Sequence, residues 1–476
     1  MKRATGVLLP AFSLPGDYSV GSFGREAKNF IDFLYEGGFT WWQVLPFCLP
    51  GEGDSPYKSY SAFSYNYAFV DLPTLHEWGL LTREELSAAR GRSPYVCEYE
   101  RMGEERFSLL STAAARFGDR AAVYEFLEKN PATEQFCRFM ALRRANDLRP
   151  WREFTTDRFD EQYYYAWGFT QYAFCRQFEE LRHYAAARGV HIMGDIPIYV
   201  DYESADVYEN RHLFLLRQDS TPAAVAGVPP DYFCRDGQLW GNPLYDWEGM
   251  QAEGYAWWRG RLRHSLSLFD GVRIDHFRAF ASYFSIPAGA ESAKEGSWKV
   301  GPGEELIDAL RQEAGDALIV AEDLGGESAD VHALLEYSAF PGMRVLQFAF
   351  LGDAESTHLP HRYPHNSVSY TGTHDNDTLL GYLFSLSEER RRHVFRYCGY
   401  EGADMQSGFS AVLRAMYASH AGLFIMPVQD LLRFGGDTRI NRPGTATGNW
   451  RYRLTADQLA GLDPTPFRAM ANLYGR

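Results

Sequence analysis

The chain has 476 residues and an apolar content of 45%, enough for a sizeable core in one large domain with insertions or in several domains of average size. A formal net charge of −15 argues against a nucleic-acid backbone or an anionic membrane surface as partner, because both need a basic patch, and favours a neutral ligand. Aromatic residues reach 16%, with 30 Tyr and 11 Trp; such rings either fill a large aromatic core or offer the flat, polar-edged surfaces that suit hydroxyl-rich ligands such as sugars.

At the N-terminus the run VLLPAFSLP is short and broken by Pro10 and Pro15, which argues against a signal peptide. No stretch approaches the roughly 18 apolar residues of a membrane span. Cys48, Cys97, Cys137, Cys175, Cys234 and Cys398 are scattered without a C-x-x-C pair. Neither a zinc site nor a disulfide framework is expected, and a reduced, cytoplasmic setting follows.

Taken in order, strand candidates rich in β-branched and aromatic residues occupy 7–12, 41–46, 191–200, 271–276, 317–325, 343–350, 367–375 and 423–428. Between them lie amphipathic helices. FGREAKNFIDFLYEGG puts Phe30, Ile31 and Leu34 on one face and ends at a Gly pair, as helices often do. GEELIDALRQEAG, SADVHALLEYSAFPG and FSAVLRAMYASHAG repeat the pattern after later strands. Strand alternating with helix through eight repeats predicts a closed (β/α)₈ TIM barrel within a single catalytic domain, 1–476.

The spacing is uneven. Residues 48–190, between strands 2 and 3, read as a largely helical insertion, most clearly from 98 onward, with no linker composition to mark an independent domain. Residues 201–260, rich in Pro, Gly and aromatics, read as an extended loop over the barrel mouth.

In such a barrel the ligand site lies at the C-terminal ends of the strands. Four strand ends here are polar: GDIPIY with Asp195, RIDH with Arg273, Asp275 and His276, AEDLG with Glu322 and Asp323, and TGTHD with His374 and Asp375. Strand periodicity puts Arg273 and Asp275 on one face and Val272 and Ile274 on the other. Carboxylates converging on one small volume repel, and at least one must take up its proton more readily than usual. Paired carboxylates of unequal acidity, with no metal or cofactor, suit glycosidic bond cleavage. Asp275, held ionised by Arg273, would attack the anomeric carbon; Glu322, after the apolar run LIVA, would stay protonated and serve the leaving oxygen; Asp375 and His374 would favour the positively charged transition state.

The motifs RIDHFR, AEDLG, TGTHDND, GDIPIYV and SPYKSYSAFSYN, with RINRPGT and GNWRYR near the C-terminus, resemble the amylomaltases, or 4-α-glucanotransferases, of the α-amylase superfamily. The resemblance runs from VLLPAFSLP to GNWRYR. It implies Asp275 as nucleophile, Glu322 as general acid/base and Asp375 as transition-state stabiliser, with Tyr57, Asp195, Arg273, His276 and His374 lining the subsite of the transferred sugar. It also implies malto-oligosaccharide or α-glucan substrates, no cofactor, and no nucleic-acid, membrane or protein partner. GVPPDYFCRDGQLWGNPLYDW, 227–247, matches the family's long lid, in which Trp240 touches the glucan. Tyr232, Phe233, Tyr245 and Trp247 are expected to add stacking surface. Two departures stand out: Glu52 where the family often has tyrosine, and Tyr65 and Tyr67 where it usually has Gly and Pro. The rival activities are hydrolysis of α-glucans on the same scaffold and non-catalytic glucan binding.

Overall fold

In the computed structural model, which describes residues 2–51, 53–230, 235–325, 328–352, 354–445 and 447–476, each of those apolar runs supplies one strand of a closed parallel barrel. The strands in chain order are β1 (Ala4–Leu8), β2 (Trp41–Gln43), β3 (His191–Ile196), β4 (Ala224–Val228), β5 (Gln238–Pro243), β6 (Gly271–Ile274), β7 (Ser282–Pro287), β8 (Ser297–Val300), β9 (Leu318–Ala321), β10 (Gly342–Val345), β11 (Ser367–Tyr370) and β12 (Leu423–Pro427). The barrel runs β1-β12-β11-β10-β9-β6-β3-β2, and β1 closes it by pairing with both β12 and β2. This is the expected (β/α)₈ fold.

Strands covered on both faces lose the alternation of a half-exposed strand and become continuous apolar runs. LFIMP of β12 and SVSY of β11 are buried along their whole lengths. Polar groups sealed inside must find partners; Tyr370 of β11 donates to Gln43 Oε1 of β2 at 2.9 Å, joining strands that are not neighbours.

The outer helices follow their sequence patterns. Arg25–Gly37 buries Phe30, Ile31 and Leu34 and stops where Gly38, at φ 76°, turns left-handed and returns its N–H to Leu34 and Tyr35. Gly303–Ala314 buries Leu306, Ile307 and Leu310. Burying one such side chain stabilises by about 1.5–3 kcal/mol, so the apolar stripe, more than intrinsic propensity, seats each helix.

Between β2 and β3, helices Phe107–Arg116, Arg120–Lys129 and Pro131–Ala145 pack on the helix Glu161–Ala186. That long helix fixes the segment that follows β2. Gln171 accepts from the Tyr65 amide and donates to its carbonyl, at 2.7 and 3.0 Å. Gln177 does the same for Asp71, at 2.6 and 3.2 Å. Tyr65 and Tyr67, the residues that depart from the family pattern, are both buried: Tyr65 stacks on Phe174 at 4.8 Å, and Tyr67 meets Trp167 edge to face.

The stretch 201–260 holds more regular structure than the loop read from its composition. It contributes β4 and β5 to a four-stranded antiparallel sheet ordered β5-β4-β7-β8, beside the barrel. Gly and Pro in AVAGV and QLWGNP hide these strands from a periodicity reading. Among the described residues no helix is long and apolar enough to cross a membrane.

Candidate active site

β6 carries the centre of the site. Its register sets Arg273 beside Asp195 of β3 on one side and Val320 of β9 on the other. The Arg273 side chain is 4% exposed, so its charge needs compensation at close range. One terminal nitrogen donates to both oxygens of Asp195, each at 2.8 Å, and the other donates to Asp275 Oδ1 at 2.8 Å. Burial raises the Asp195 carboxyl, opposed by Arg273, while the two flanking carboxylates hold Arg273 firmly charged. Tyr57 completes the group by donating to Asp195 Oδ2 at 2.6 Å.

Past Asp275 the backbone turns left-handed at His276, φ 47°, an uncommon conformation for a residue with a side chain. The turn aims the His276 N–H at Glu322 Oε2, 2.7 Å away at the end of β9. Glu322 is buried, and desolvation pushes its pKa well above the ordinary carboxylate range; the charge on Asp275 adds to that rise, while Arg273 and the His276 amide oppose it. Burial also lowers His276 to about 4, so its imidazole is neutral at ordinary pH. Asp323, the next residue, points elsewhere: it accepts from Met343 N and from Arg344, tying β9 to β10. Arg278 stacks its guanidinium 4.2 Å from the centre of Trp298 on β8.

The segment after β11 brings in His374 and Asp375. His374 is buried and stacks face to face with Tyr57, centroids 5.2 Å apart, while its Nε2 lies 3.4 Å from Asp375 Oδ2. Asn376 shapes the turn by accepting from the Thr373 amide and hydroxyl, both at 2.9 Å. Beneath it, buried Asp430 accepts from the Thr371 hydroxyl at 2.5 Å and the Leu379 amide at 2.7 Å. Gln347 donates to the Asp377 carbonyl at 2.6 Å.

Trp240, on β5, reaches the site: its ring meets the His276 ring edge to face at 5.0 Å. The other aromatics expected to offer stacking surface divide differently. Tyr245 is buried at 1% exposure and spends its hydroxyl on the Ile198 carbonyl at 2.8 Å. Trp247 packs against Tyr245 and Trp258. Tyr232 and Phe233 lie outside the described residues, as does Glu52.

Three residues of the site were not singled out in the sequence: Arg439, Asn441 and Trp450. Asn441 donates to Asp375 Oδ1 at 2.6 Å, Arg439 donates to the Asp375 carbonyl at 2.9 Å, and Trp450 lies 5.8 Å from Tyr57 and 6.0 Å from His374, centroid to centroid. The motifs RINRPGT and GNWRYR were the available signal. Among the described residues no group of three or more His, Cys, Asp or Glu side chains is arranged to hold a metal ion.

This mouth therefore joins an ion-paired carboxylate, a desolvated carboxyl and a third carboxylate beside stacked aromatic rings, a set suited to carbohydrate chemistry. Known proteins agree. The chain is 41% identical to the 4-alpha-glucanotransferase of Streptococcus pneumoniae, over all of this chain and 98% of that protein, and 40% identical to that of Thermus thermophilus, over all of this chain and 99% of it. In structure it is similar to the amylomaltase of Streptococcus agalactiae, solved in complex with acarbose, with a TM-score of 0.95, 35% identity and full coverage of both chains. Residues 9–458 match the family described as 4-alpha-glucanotransferase, and with that match and these full-length relatives the chain belongs to that family.

Proposed function

We propose that this chain moves α-1,4-linked glucan segments from a donor to the 4-hydroxyl of an acceptor sugar by a retaining double displacement, with Asp275, Glu322 and Asp375 as the reacting trio. One observation carries the assignment of roles: Asp275 is ion-paired to Arg273 while Glu322, at the neighbouring strand end, is buried and pushed toward its neutral form. A nucleophile must be ionised and an acid must keep its proton, and here environment separates two like groups in that direction.

Asp275 attacks the anomeric carbon, the bond from that carbon to the leaving 4-oxygen breaks, and Glu322 passes its proton to that oxygen. A glucosyl ester of Asp275 remains. In the second half the acceptor 4-hydroxyl gives its proton to Glu322 and attacks the same carbon, releasing Asp275 with net retention. A carboxylate separation of roughly 5 to 5.5 Å accompanies this chemistry. Asp375 and His374 bind ring hydroxyls as positive charge develops, Tyr57 gives that sugar a flat neighbour, and Asp195 and Arg273 orient the nucleophile.

Transfer requires that a sugar outcompete water at the ester. We assign that task to a lid over the mouth drawn from 201–260, in which Trp240 contacts the glucan. The whole chain then acts as one catalytic domain, with 48–190 as an inserted helical subdomain that supports the Tyr57 segment. Described cysteines Cys48, Cys97, Cys137, Cys175 and Cys398 are free thiols, which supports a reducing, cytoplasmic setting.

Incubation with maltotriose tests the reading. Glucose plus longer oligomers, with little gain in total reducing ends, is expected; a steady rise in reducing ends identifies a hydrolase. Asp275→Asn should bind oligosaccharide yet turn over at least about 10³-fold more slowly. Undiminished turnover in that variant rules out the nucleophile assignment, whereas oligosaccharide binding without turnover in the parent identifies a non-catalytic glucan-binding protein.

A further inference from the structure

We infer that Asn441 is a positioning residue for Asp375: its side-chain amide pins one carboxylate oxygen so that the other is presented to the sugar. The inference rests on the reading of Asp375 as the transition-state stabiliser and adds to it a residue from a distant part of the chain. The side chain of Asp375 is 43% exposed, and an exposed carboxylate left to itself rotates and is solvated by water. Residues 439–441, with Trp450, form a strap that prevents this. Asn441 Nδ2 donates to Oδ1 at 2.6 Å, the Asn441 amide donates to the His374 carbonyl at 3.1 Å, and Arg439 donates to the Asp375 carbonyl at 2.9 Å. The segment is itself closed at its far end, where the Trp450 amide donates to the Ile440 carbonyl at 2.7 Å, and buried Trp450 lies against the stacked pair Tyr57 and His374.

Both the backbone and the side chain that carry the third carboxylate are thus held by one strap, with Oδ2 left beside His374 Nε2 at 3.4 Å. A fixed acceptor strengthens its bonds to the sugar hydroxyls in the transition state without paying for reorientation at that moment, which is the condition for an effect on turnover more than on binding. The strap contributes no proton transfer and no covalent bond; its whole contribution is orientation.

Kinetics on maltotriose with the full-length protein decide. Asn441→Ala removes a hydrogen bond to a charged acceptor and should lower kcat by about 10- to 100-fold while changing KM by less than about 3-fold. Asn441→Asp keeps the shape and replaces the donor by a second carboxylate. Two carboxylates at that distance share a proton in acid, which restores a donor to Asp375 Oδ1. The ratio of variant to parent kcat should therefore climb as pH falls from 8 to 5. Among the described residues the other charged or titratable groups around this pair include His374, Arg439, Tyr57 and, through Arg439, Asp377 and Arg442; all are present in both proteins, so the ratio reads what the added carboxylate brings. A ratio that stays flat with pH overturns the inference, and so does an Asn441→Ala protein within 2-fold of the parent in kcat when Asp375→Asn is inactive. An active Asp375→Asn protein overturns instead the reading of Asp375, and the role of Asn441 with it.

Discussion

The amide of His276 and the carboxyl of Glu322 are hydrogen-bonded at 2.7 Å, so the residue that follows the proposed nucleophile orients the proposed acid. Strand ends β6 and β9 are thereby coupled through the main chain, independent of which side chain stands at 276. The pH dependence follows from burial. Glu322 is raised well above its ordinary value, so its proton is kept to higher pH than that of an ordinary carboxyl and is lost as pH rises through the raised value. Activity should fall on the alkaline side, and Glu322→Gln should remove that limb together with at least about 10³-fold of the rate. His276, lowered to about 4, should add no inflection between pH 5 and 8. The measurement is kcat/KM against pH for parent and variant.

Arg273 satisfies two carboxylates with one planar fork, a task that a lysine cannot copy because its single nitrogen cannot span both. In Arg273→Lys one acid, Asp195 or Asp275, is left without its partner in a mouth where Asp195 is sealed from solvent. A loss of about 3–5 kcal/mol in folding stability is expected, with activity reduced by at least about 100-fold. Thermal or urea unfolding beside a transfer assay reads both; retention of either at the parental level would mean that the fork is dispensable.

Trp240 touches the site through the edge of its ring against His276. Trp240→Ala removes that contact and any stacking on the glucan, each worth about 0.5–1.5 kcal/mol. KM for maltotriose should rise about 10-fold, and the share of ester captured by water should increase. Counting total reducing ends per glucose released tests the second effect, and an unchanged count would remove Trp240 from the control of water.

Asp430 offers a stability prediction with a definite sign. Burial pushes its carboxyl from 3.8 up to about 7, while Thr371 and Leu379 donate to it. Being raised in the folded state, the group contributes its full stability below about pH 3.8, and that contribution is lost as pH climbs through about 7. Asp430→Asn cannot ionise. Whatever its offset at pH 5, the variant should gain about 2–3 kcal/mol relative to the parent between pH 5 and 8. Urea unfolding at the two pH values reads the difference, and parallel pH dependences would mean that Asp430 is ionised throughout.

The barrel strands were readable because burial on both faces leaves uninterrupted apolar runs, and the strand ends because a polar residue closing such a run has few structural uses. The same rule overreached at Asp323: adjacent residues of a strand end face opposite ways, so Asp323 leaves the mouth to Glu322 and pairs with Arg344. Tyr245 was read as ligand surface on composition alone, yet its burial depends on Trp257, Trp258 and Phe214, which approach from other segments. Asn441 and Arg439 sit in an irregular stretch with no periodicity to interpret; their meaning arises only when the fold brings positions 66 and 64 further along the chain back to Asp375.

Closure of the barrel by β1 against β12 has a consequence during synthesis. The first barrel strand to be synthesised has the last barrel strand as a final neighbour, since Ala4 pairs with Leu423. Throughout translation of the intervening residues the nascent sheet keeps two open hydrogen-bonding edges, the condition under which chains recruit one another. Chaperone demand should therefore peak as the last barrel strand emerges, shortly before those two edges find each other.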